Sequence, residues 1–398
     1  MNRNISKLAE IAEKKSRRII GLMSGTSLDG LDIALCDIEG SGMSTSLRLV
    51  HFVTIAYSVD FKKEVRSIFS KETVSLQRLC LLNEWIAEQH AKMINDSLEQ
   101  WNIDPHMIDL IASHGQTIYH APKHLHGLEK FGNATLQIGD GDHLSVKTGV
   151  ICISDFRQKH LAAGGEGAPL AAYGDYLLFK DAEKDVILLN IGGIANFSFI
   201  PANTKTKQMF STDIGPGNTL MDAWMQQHFA GETFDKDAQI GQSGVADDDL
   251  LQSLAGDDFF AREFPKTTGP ELFNLVWLQS AIQKSGKENI SVENVMATLN
   301  KLTASSIAAA IKPFATEAGI IYVSGGGMHN PLLMKNLRVL LPGMKILSSS
   351  EKDINPDAKE AILFAILANE AVAGDPRVFA AAGDCFPAIS MGKISFPY

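Results

Sequence analysis

Apolar residues recur along this chain in short runs that are broken by glycine and hydroxyl side chains, a pattern typical of β-strands joined by tight turns. In residues 19–38, two apolar runs flank the turn Ser24-Gly25-Thr26-Ser27 and the carboxylate of Asp29. This stretch predicts a β-hairpin whose turn offers backbone N–H groups and hydroxyls to an anion. Gly25 and Gly30 are expected to take positive φ angles there, which would let the backbone approach a ligand closely.

Two further stretches share this design. Residues 186–200 run from an apolar strand through the Gly192-Gly193 turn into another apolar strand. Alone, the first hairpin is equally consistent with an ordinary turn around a hydrogen-bonded aspartate, but two such stretches favour a duplicated architecture in which each half contacts phosphate. Residues 320–330 run from a strand through Gly325-Gly326-Gly327 into a helix expected from Asn330. Such a turn is a place for a nucleotide to lie against backbone.

The rest of the chain alternates between strand and helix patterns, which predicts an α/β protein. Helical spacing of apolar residues covers residues 61–69, 76–101 and 295–311, and further strands are predicted at 46–57, 110–113, 135–139 and 150–156. The glycine-rich segment 162–170 is expected to be a loop and the hinge between two domains. Residues 1–18 are predicted to form a short charged helix or a frayed arm.

The clearest candidate for chemistry is Asp213. A predicted strand ends at this carboxylate and leads to Gly215-Pro216-Gly217 and to Asn218, which is expected to cap the next helix. A carboxylate beside glycine amides and a helix N-terminus is suited to chemistry near a phosphate. The alternative is a turn-forming aspartate bonded to the Gly215 N–H, but the two glycines around the proline favour catalysis.

Three further residues are candidates at strand and helix ends. His114 ends a predicted strand and suits general acid–base chemistry, although a structural hydrogen bond is the favoured role. Arg157 follows another strand and either binds a carboxylate or phosphate or locks its turn by pairing with Asp155. Glu360 lies in the first turns of a helix expected to begin at residues 355–357, where the helix dipole favours an acid.

Composition limits the classes of function. The 398 residues are too many for one ordinary core and suggest two domains. The hydrophobic fraction of 45% and the charged fraction of 21% are those of a globular protein in water. The formal net charge of −10 has the wrong sign for nucleic-acid binding, so anionic substrates must be met by backbone amides, a metal and a few basic residues.

The cysteines and the N-terminus predict a cytoplasmic protein. Cys36, Cys80, Cys152 and Cys385 are widely spaced without a C-x-x-C pair, so we expect reduced packing residues rather than zinc ligands or disulfides. Residues 1–18 carry acidic side chains and lack the apolar core of a secretory signal. No uninterrupted apolar run is long enough to predict a membrane span.

A set of ordered motifs extends from about residue 19 to about residue 368. They read GLMSGTSLDGLD, SHGQT, SDFR, GGEGAPL, LNIGGIANF, DIGPGN, PKTTG, ATLNKLTA, SGGGMHNPLL and EAILFA. Together these motifs resemble those of the 1,6-anhydro-N-acetylmuramic acid kinases, a family of the sugar kinase, Hsp70 and actin superfamily. The likeness covers most of the chain and is far more specific than a lone glycine signature.

The resemblance implies an α/β fold of two actin-like domains, a duplicated ribonuclease H-like architecture with a cleft between the domains. Residues 18–155 with 376–398 are expected to form domain I, and residues 156–375 are expected to form domain II. The resemblance implies ATP and Mg²⁺ as cofactors, a small anhydrosugar as substrate, and neither a nucleic-acid nor a membrane partner. A homodimer is a further hypothesis.

The resemblance also implies an unusual phosphoryl transfer in the recycling of cell-wall sugar. The sugar O6 is tied into a 1,6-anhydro bridge and has no proton to lose. Water must therefore attack C1 while O6 leaves that carbon and accepts the phosphoryl group of ATP, and Asp213 acts as general base on the water. The logic is that of an inverting glycosidase in which ATP replaces one carboxylate. The expected products are N-acetylmuramic acid 6-phosphate and ADP.

The resemblance assigns roles to residues of this chain. Asp213 and Glu360 are the expected catalytic residues, Glu360 through a sugar contact or through Mg²⁺ and water. Thr117, Gln137 and Arg157 are expected to bind the sugar, and Gln116 is a further candidate for a sugar contact. Asp29 is expected to face Mg²⁺ or its waters. The expected ATP-binding residues are Gly25, Thr26, Ser27, Asp29, Gly30, Asp32, Gly192, Gly193, Asn196, Gly215, Gly217, Asn218, Gly325, Gly326, Gly327 and Asn330.

The chain departs from the family pattern at three positions. His160 stands where the family usually has Asp, Glu166 stands where it usually has Gln, and Pro270 stands where it usually has Arg. Roles that depend on those side chains do not carry over, and Glu166 is given no catalytic role. Lys266, with two threonines after it, is a candidate phosphate or sugar contact.

Two other functions compete with this one. A kinase of the same fold could act on another anhydrosugar such as levoglucosan, which lacks the lactyl carboxylate that Arg157 would bind. An Hsp70-like or actin-like ATPase would use the nucleotide to change shape, and it would usually carry a separate partner-binding region. A serine hydrolase is disfavoured because the chain has no G-x-S-x-G motif.

Overall fold

The computed structural model describes residues 2–167, 170–181, 183–202, 207–314, 319–349, 357–380 and 387–398. The chain divides into two compact units; the first holds residues 1–178 and 353–398, and the second holds residues 179–352. The helices that carry Arg157 and Glu360 belong to the first unit, whereas the sequence analysis placed these residues in the second domain. The domain limits given above stay a prediction.

Strands and helices alternate along the described chain. The strands are β1 (Ser16–Ser24), β2 (Gly30–Glu39), β3 (Ser46–Ala56), β4 (Leu110–Ala121), β5 (Ala134–Ile138), β6 (Cys152–Ser154), β7 (Val186–Ile191), β8 (Ile194–Ile200), β9 (Phe210–Pro216), β10 (Ile320–Ser324), β11 (Lys345–Ser348) and β12 (Lys393–Ser395). The α-helices are α1 (Arg3–Glu13), α2 (Val59–Arg66), α3 (Leu76–Gln100), α4 (Lys123–His126), α5 (Gly141–Thr148), α6 (Phe156–Ala162), α7 (Ala171–Phe179), α8 (Thr219–His228), α9 (Gln239–Ser243), α10 (Asp248–Ala255), α11 (Asp258–Ala261), α12 (Leu275–Lys284), α13 (Val292–Ile311), α14 (Pro331–Leu340), α15 (Lys359–Ala373) and α16 (Arg377–Ala380). Short 3₁₀ helices span Gly42–Ser44, Pro105–Met107, Lys236–Ala238, Lys312–Phe314 and Gly326–His329.

Each unit is built on its own sheet, and the two sheets have the same connectivity. The first sheet has the order β12-β6-β4-β1-β2-β3, with β5 paired to β4. Within it β1, β2 and β3 are antiparallel neighbours, and β4 and β6 continue parallel to β1. The second sheet, β11-β10-β7-β8-β9, repeats this pattern with β7, β8 and β9 antiparallel and β10 and β11 parallel. The repeat confirms the predicted α/β class and the duplicated architecture.

The first sheet is covered on both faces, as the apolar run of β1 requires. Ile20 and Leu22 are buried in a core that also contains Ile86 of α3. On the other face, Gly21 lies directly against α15. A Cβ atom on Gly21 would fall well inside van der Waals distance of the Ala361 carbonyl oxygen. The glycine therefore sets how closely the helix that carries Glu360 packs on the central strand.

The core of the second unit has two parts that α13 joins. One part covers the sheet and contains Phe197 of β8, and the other lies among helices and contains Trp224 of α8. On α13, Ile307 packs in the first part and Leu299 packs in the second. Burial of this helix on two sides thus fixes α8 relative to the strand that carries Asp213.

Several local predictions need correction or fall outside the described residues. Neither Gly25 nor Gly30 takes a positive φ; the positive φ of that turn is at Leu28, at 60°. The N-terminal arm contains helix α1, capped by the Asn2 side chain, and β1 already begins at Ser16. Residues 355 and 356, where a helix was expected to begin, and residues 168 and 169 of the expected loop lie outside the described residues.

Two of the three cysteines in the described part of the chain fit the packing role, and Cys80 does not. Cys36 and Cys152 are buried free thiols, and burial raises the pKa of both above the ordinary value. Cys80 is free and exposed, and Cys385 lies outside the described residues. Among the residues that the structure describes, no helix is both long enough and apolar enough to cross a bilayer.

Candidate active site

The turn between β1 and β2 exposes its hydroxyl and carboxylate groups. Thr26, Ser27 and Asp29 are exposed, whereas the Leu28 side chain is buried and anchors the turn. The Leu28 N–H donates to the Gly25 carbonyl at 3.3 Å and closes the turn. The Asp29 carboxylate has no hydrogen-bond or ion-pair partner among the described residues. Its oxygens are therefore available to a ligand.

A network of hydrogen bonds among buried polar side chains holds this turn. The Ser24 hydroxyl bonds to the Tyr57 hydroxyl at 2.6 Å and donates to the Gln116 side-chain oxygen. The Gln116 amide donates to the Gly25 carbonyl at 3.3 Å, and the Tyr57 hydroxyl bonds to His90 Nε2 at 2.9 Å. Burial lowers the pKa of His90 to about 4, which keeps the imidazole neutral. Gln116 is fully buried and holds the turn, so its expected sugar contact is wrong.

Asp32 lies on β2 beside the same turn. The Thr54 hydroxyl on β3 donates to the Asp32 carboxylate at 2.6 Å. Burial raises the pKa of Asp32, the Thr54 bond lowers it, and the charge of Asp357 raises it further. Gly30 also packs tightly, because a Cβ atom there would collide with the Ile55 carbonyl oxygen.

The three residues expected to bind sugar lie near the end of the first sheet or on the helix after β6. Thr117 and Gln137 are cross-strand partners on β4 and β5, and Gln137 Nε2 donates to the Thr117 hydroxyl at 3.2 Å. The side-chain oxygen of Gln137 is buried and has no hydrogen-bond partner among the described residues. Arg157 lies on α6, in the segment that follows β6.

The Arg157 guanidinium is held by two acceptors. Its Nε donates to His114 Nε2 at 2.9 Å, and its Nη1 donates to the Gly167 carbonyl at 2.6 Å. Burial lowers the pKa of His114 to about 3, and the Arg157 charge lowers it as well, so His114 is a neutral acceptor and its favoured structural role is confirmed. Asp155 pairs instead with Lys393, which rules out the Arg157–Asp155 lock.

Two of the positions that depart from the family pattern lie beside this arginine. His160 is buried, and its Nδ1 accepts the Gly167 N–H at 2.8 Å. His160 and Arg157 thus hold the two polar groups of the Gly167 residue. Glu166 is exposed and lies 3.7 Å from His124, which gives no sign of a chemical role.

Glu360 lies in the first turn of α15. Part of its side chain is exposed to solvent. Desolvation of the carboxylate by the surrounding protein raises the pKa of Glu360. The charge of Asp32 raises this pKa further, and the charges of Arg157 and Lys359 lower it. Glu360 and Arg157 therefore interact electrostatically within the first unit, at the side of the sheet that α15 covers.

In the second unit, a polar row crosses the sheet next to the glycine turns. The strand register aligns Ser324, Asn190, Asn196 and Asp213 on β10, β7, β8 and β9. Residues directly opposite one another on neighbouring strands present their side chains on one face. Asn196 and Asp213 were predicted from the sequence, whereas Asn190 and Ser324 were not. The hairpin register implied by the Gly192-Gly193 turn would have indicated Asn190.

Asp213 is half-buried and is fixed by the segment that precedes α12. Its Oδ2 accepts the Thr268 backbone N–H at 2.9 Å, and its own N–H donates to the Lys266 carbonyl at 2.9 Å. The alternative in which the Gly215 N–H holds the carboxylate is not formed. Burial raises the pKa of Asp213, and the Thr268 bond lowers it. Oδ1 has no hydrogen-bond partner among the described residues and is the oxygen that can take a proton.

Lys266 does not have the free ammonium group that the sequence analysis assumed. Its Nζ donates to the Phe259 carbonyl at 2.9 Å and lies over the Phe259 ring. The expected phosphate or sugar contact of Lys266 stays a prediction; in this structure its backbone carbonyl accepts the Asp213 N–H. The Thr268 hydroxyl is buried without a hydrogen-bond partner in the described structure, a feature that the sequence analysis missed.

The Gly192-Gly193 turn is bonded directly to the start of α8. The N–H groups of Gly217 and Asn218 donate to the carbonyls of Gly193 and Gly192, each at 2.8 Å. A Cβ atom on Gly217 would collide with the Gly192 carbonyl, so only glycine fits. Asn218 occupies the capping position of α8, but its side chain makes no capping bond, which corrects the expectation.

The third glycine turn has the predicted strand–turn–helix form. Gly325 has φ 82°, and a Cβ atom there would lie 2.6 Å from the Ile191 carbonyl oxygen. After the 3₁₀ turn, the Asn330 side chain caps α14 by accepting the Leu333 N–H at 3.0 Å. Pro331 occupies the first helical turn, where its missing N–H costs nothing.

A cavity of about 690 Å³ in the second unit brings several of these residues together. Its walls include three predicted ATP-binding residues, Asn218, Gly326 and Asn330. They also include Asp222, His329 and the segment 233–237, which the sequence analysis missed. The volume suits a nucleoside, since ligand pockets commonly span about 300–1,000 Å³.

Comparison with known proteins decides the family. A family model described as anhydro-N-acetylmuramic acid kinase matches residues 17–397. The chain belongs to this family. Membership in the anhydro-N-acetylmuramic acid kinase family confirms the predicted class, a kinase that phosphorylates a sugar, and gives no support to a levoglucosan kinase or a shape-changing ATPase.

Individual relatives agree with this assignment. The anhydro-N-acetylmuramic acid kinase of Pseudoalteromonas atlantica strain T6c is 53% identical over 400 residues, with 100% of both chains covered. That of Pseudoalteromonas translucida strain TAC 125 is 48% identical, again with 100% of both chains covered. A solved ROK family glucokinase from Streptomyces griseus in complex with glucose and AMPPNP covers 88% of this chain and 98% of its own, at 13% identity and a TM-score of 0.33. So weak a likeness carries no argument.

Proposed function

We propose that this protein uses ATP to open the 1,6-anhydro ring of 1,6-anhydro-N-acetylmuramic acid with water and to phosphorylate O6. The products are N-acetylmuramic acid 6-phosphate and ADP, which places the enzyme in cytoplasmic recycling of cell-wall sugar. The observation that carries the proposal, beyond family membership, is Asp213: a half-buried carboxylate with one oxygen fixed by Thr268 and the other without a partner in the described structure. A homodimer stays a prediction.

Asp213 acts as the general base on water. As the water oxygen bonds to C1, the C1–O6 bond breaks, O6 bonds to the γ-phosphorus, and the bond from that phosphorus to ADP breaks. The water proton passes to Asp213 Oδ1 and then to solvent. The raised pKa of Asp213 suits this role, because a base works best when its pKa lies close to the working pH. Glu360 is proposed to contact the sugar or to assist through Mg²⁺ and water.

The glycine turns are proposed to bind the nucleotide. Backbone N–H groups and hydroxyls of the turn at Gly25, Thr26 and Ser27 contact phosphate, and in the second unit the Gly192-Gly193 turn does the same. The cavity beside Gly326 and Asn330 takes the nucleoside. Because the N–H groups of Gly217 and Asn218 already bond to the Gly192-Gly193 turn, these two residues shape the turn rather than donate to phosphate.

The residues present fit Mg²⁺ that is bound together with ATP. No group of three or more His, Cys, Asp and Glu side chains able to hold a metal ion occurs in the described part of the chain. Mg²⁺ is usually bound through one or two carboxylates plus substrate phosphates, and Asp29 supplies a carboxylate without another partner. Asp29 would hold the ion, which neutralises charge on the phosphates when bound.

Arg157 is proposed to bind the lactyl carboxylate of the sugar. Nε and one N–H of Nη1 are taken by His114 and Gly167, so the two N–H groups of Nη2 and the second N–H of Nη1 remain as donors. We expect Arg157→Ala to weaken binding of 1,6-anhydro-N-acetylmuramic acid by about 10- to 100-fold, because a charge-assisted bond is worth ~1.5–3 kcal/mol. Binding of lactyl-free 1,6-anhydro-N-acetylglucosamine should change little. Equal weakening of both sugars, measured by calorimetry or competitive inhibition, would remove this role from Arg157.

The rate should depend on the ionised form of Asp213. Because the pKa of Asp213 is raised in the folded protein, kcat should fall on the acid side at a higher pH than an ordinary aspartate would give. The pKa of Glu360 is also raised, so kcat should be measured from about pH 4 to about pH 8 for wild type, Asp213→Asn and Glu360→Gln. The acid limb should disappear only in Asp213→Asn. An unchanged limb in that variant would reject Asp213 as the titrating base.

A panel of acceptors separates the competing functions. The purified protein with Mg-ATP should release ADP fastest with 1,6-anhydro-N-acetylmuramic acid, slowly with levoglucosan, and negligibly without sugar. Preference for levoglucosan would indicate the other kinase. Release of ADP at the same rate with and without sugar would indicate a shape-changing ATPase.

A further inference from the structure

One wall of the 690 Å³ cavity is a single face of α8 and the residue before it. The members of this face recur at the spacing of a helix and are Asn218, Met221, Asp222 and Gln226. Leu220 and Trp224 of the same helix pack in the core among helices. The core therefore holds the helix, and its polar side chains face the cavity beside the apolar Met221, which also belongs to that core.

Asp222 is a half-buried carboxylate on this wall without a donor. Its backbone N–H bonds to the Asn218 carbonyl at 2.8 Å, but its carboxylate has no hydrogen-bond or ion-pair partner among the described residues. Burial raises its pKa to about 6. A partly desolvated carboxylate without donors costs free energy, which a ligand that supplies donors would recover.

The other buried carboxylate of the cavity is already satisfied. Asp235 Oδ1 accepts the Ile240 N–H and Oδ2 accepts the Gly241 N–H, each at 2.9 Å. This residue shapes the segment 233–237 and has less capacity for a ligand. Asp222 is thus the half-buried acceptor that the cavity leaves open.

We propose that Asp222 accepts hydrogen bonds from the vicinal 2′- and 3′-hydroxyls of the ATP ribose and makes the enzyme prefer ribonucleotides. This inference rests on the proposed function, in which the cavity takes the nucleoside. Two adjacent hydroxyls offer two donors to the two oxygens of one carboxylate. The adenine amine fits less well, because it is flanked by ring nitrogens that are acceptors and would repel the second carboxylate oxygen.

The test compares ATP with 2′-deoxy-ATP and 3′-deoxy-ATP. Wild type should bind each deoxynucleotide at least about tenfold more weakly than ATP, as expected for loss of one bond to a charged acceptor. Asp222→Ala loses both bonds to ATP and the one bond left to each deoxynucleotide, so it should bind all three nucleotides with about the same affinity. The loss relative to wild type should be larger for ATP than for either deoxynucleotide. In turnover assays the same loss should appear as a higher KM for ATP.

Two further variants distinguish a lost ribose contact from a folding defect. Asp222→Asn keeps the side-chain size and should show a smaller loss of ribose preference if Asp222→Ala folds poorly. Asp258→Asn removes an exposed acid from the first turn of α11 in the same unit and should leave nucleotide binding unchanged. If wild type and Asp222→Ala show the same ratio of ATP to deoxynucleotide affinity, the inference is overturned.

Calorimetric affinities separate this inference from the proposed function. Ribose-dependent binding of ATP without phosphorylation of any anhydrosugar would reject the function and retain the role of Asp222. Phosphorylation of the sugar with an unchanged ribose preference in Asp222→Ala would retain the proposed function and reject the role of Asp222. Absence of ATP binding to wild type would reject both.

Discussion

Replacement of Asp213 by asparagine should lower turnover at least ~100-fold, because a general base typically contributes ~10²–10⁴ in rate. Binding of ATP and of the anhydrosugar should stay near wild type. Asparagine has the size of aspartate, and its side-chain oxygen can still accept the Thr268 N–H. What it lacks is an oxygen that takes a proton from water. The effect should therefore appear in kcat and leave KM nearly unchanged.

Asp258→Asn is the matched control for that experiment. It makes the same chemical change in the same unit, at an exposed position on α11. Turnover should not change. Near-normal turnover in Asp213→Asn, with calorimetry showing intact binding of both substrates, would show that Asp213 is not the general base.

Gly21→Ala should be the most destabilising single-methyl change in the first unit. The new Cβ would collide with the Ala361 carbonyl oxygen, and neither atom can rotate away, because the Cβ is fixed by the backbone of β1 and the oxygen belongs to the backbone of α15. Either β1 leaves its register with β2 and β4, or α15 moves off the sheet. We expect a loss of about 3 kcal/mol, the upper end for overpacking. The melting temperature should fall by about 6–12 °C in calorimetry.

Gly132→Ala serves as the matched control for Gly21→Ala. A Cβ atom at position 132 would meet nothing within 4 Å. A surface change of this kind usually stays within ~0.5 kcal/mol. If the two variants melt at the same temperature, the close approach of β1 and α15 does not limit stability, and the packing account of the first unit is wrong.

The sequence predicted the fold well where the signal is local. The hairpins at residues 19–38 and 186–200 are β1–β2 and β7–β8, because alternating apolar runs with a small turn between them determine strand, turn and strand together. The duplication followed from two such hairpins, and the shared sheet connectivity confirms it. Positive φ was misplaced, however, because the preference of glycine does not reveal that the buried Leu28 side chain sets the turn.

The candidate site was less predictable because its partners are distant in sequence. Nothing near Asp213 indicated that the backbone of Thr268 and Lys266 would hold it. Lys266 looked like a free cation, but nearby carbonyls and an aromatic ring engage its ammonium group. Gln116 looked like a sugar contact, but it is buried beneath the turn of another strand. In each case the residue was located correctly, but its tertiary contacts could not be predicted from the sequence.

Asp222 is a candidate site residue that the sequence did not indicate. In the sequence it is an unremarkable acid in the first turn of a predicted helix, a position where the dipole alone accounts for it. Only the cavity and the lack of a partner in the described structure give it a candidate role. The three glycine turns, by contrast, were visible at once because their composition is unusual over a few residues.

The central claim is that water opens the anhydro ring while O6 takes the phosphoryl group, and one measurement tests it directly. The purified protein is incubated with Mg-ATP and 1,6-anhydro-N-acetylmuramic acid in ¹⁸O water, and the product is followed by ³¹P and ¹H NMR with mass spectrometry. The account predicts a 6-phosphosugar that carries ¹⁸O at C1 and none in the phosphate. Release of ADP with ¹⁸O in inorganic phosphate and no phosphosugar would contradict it.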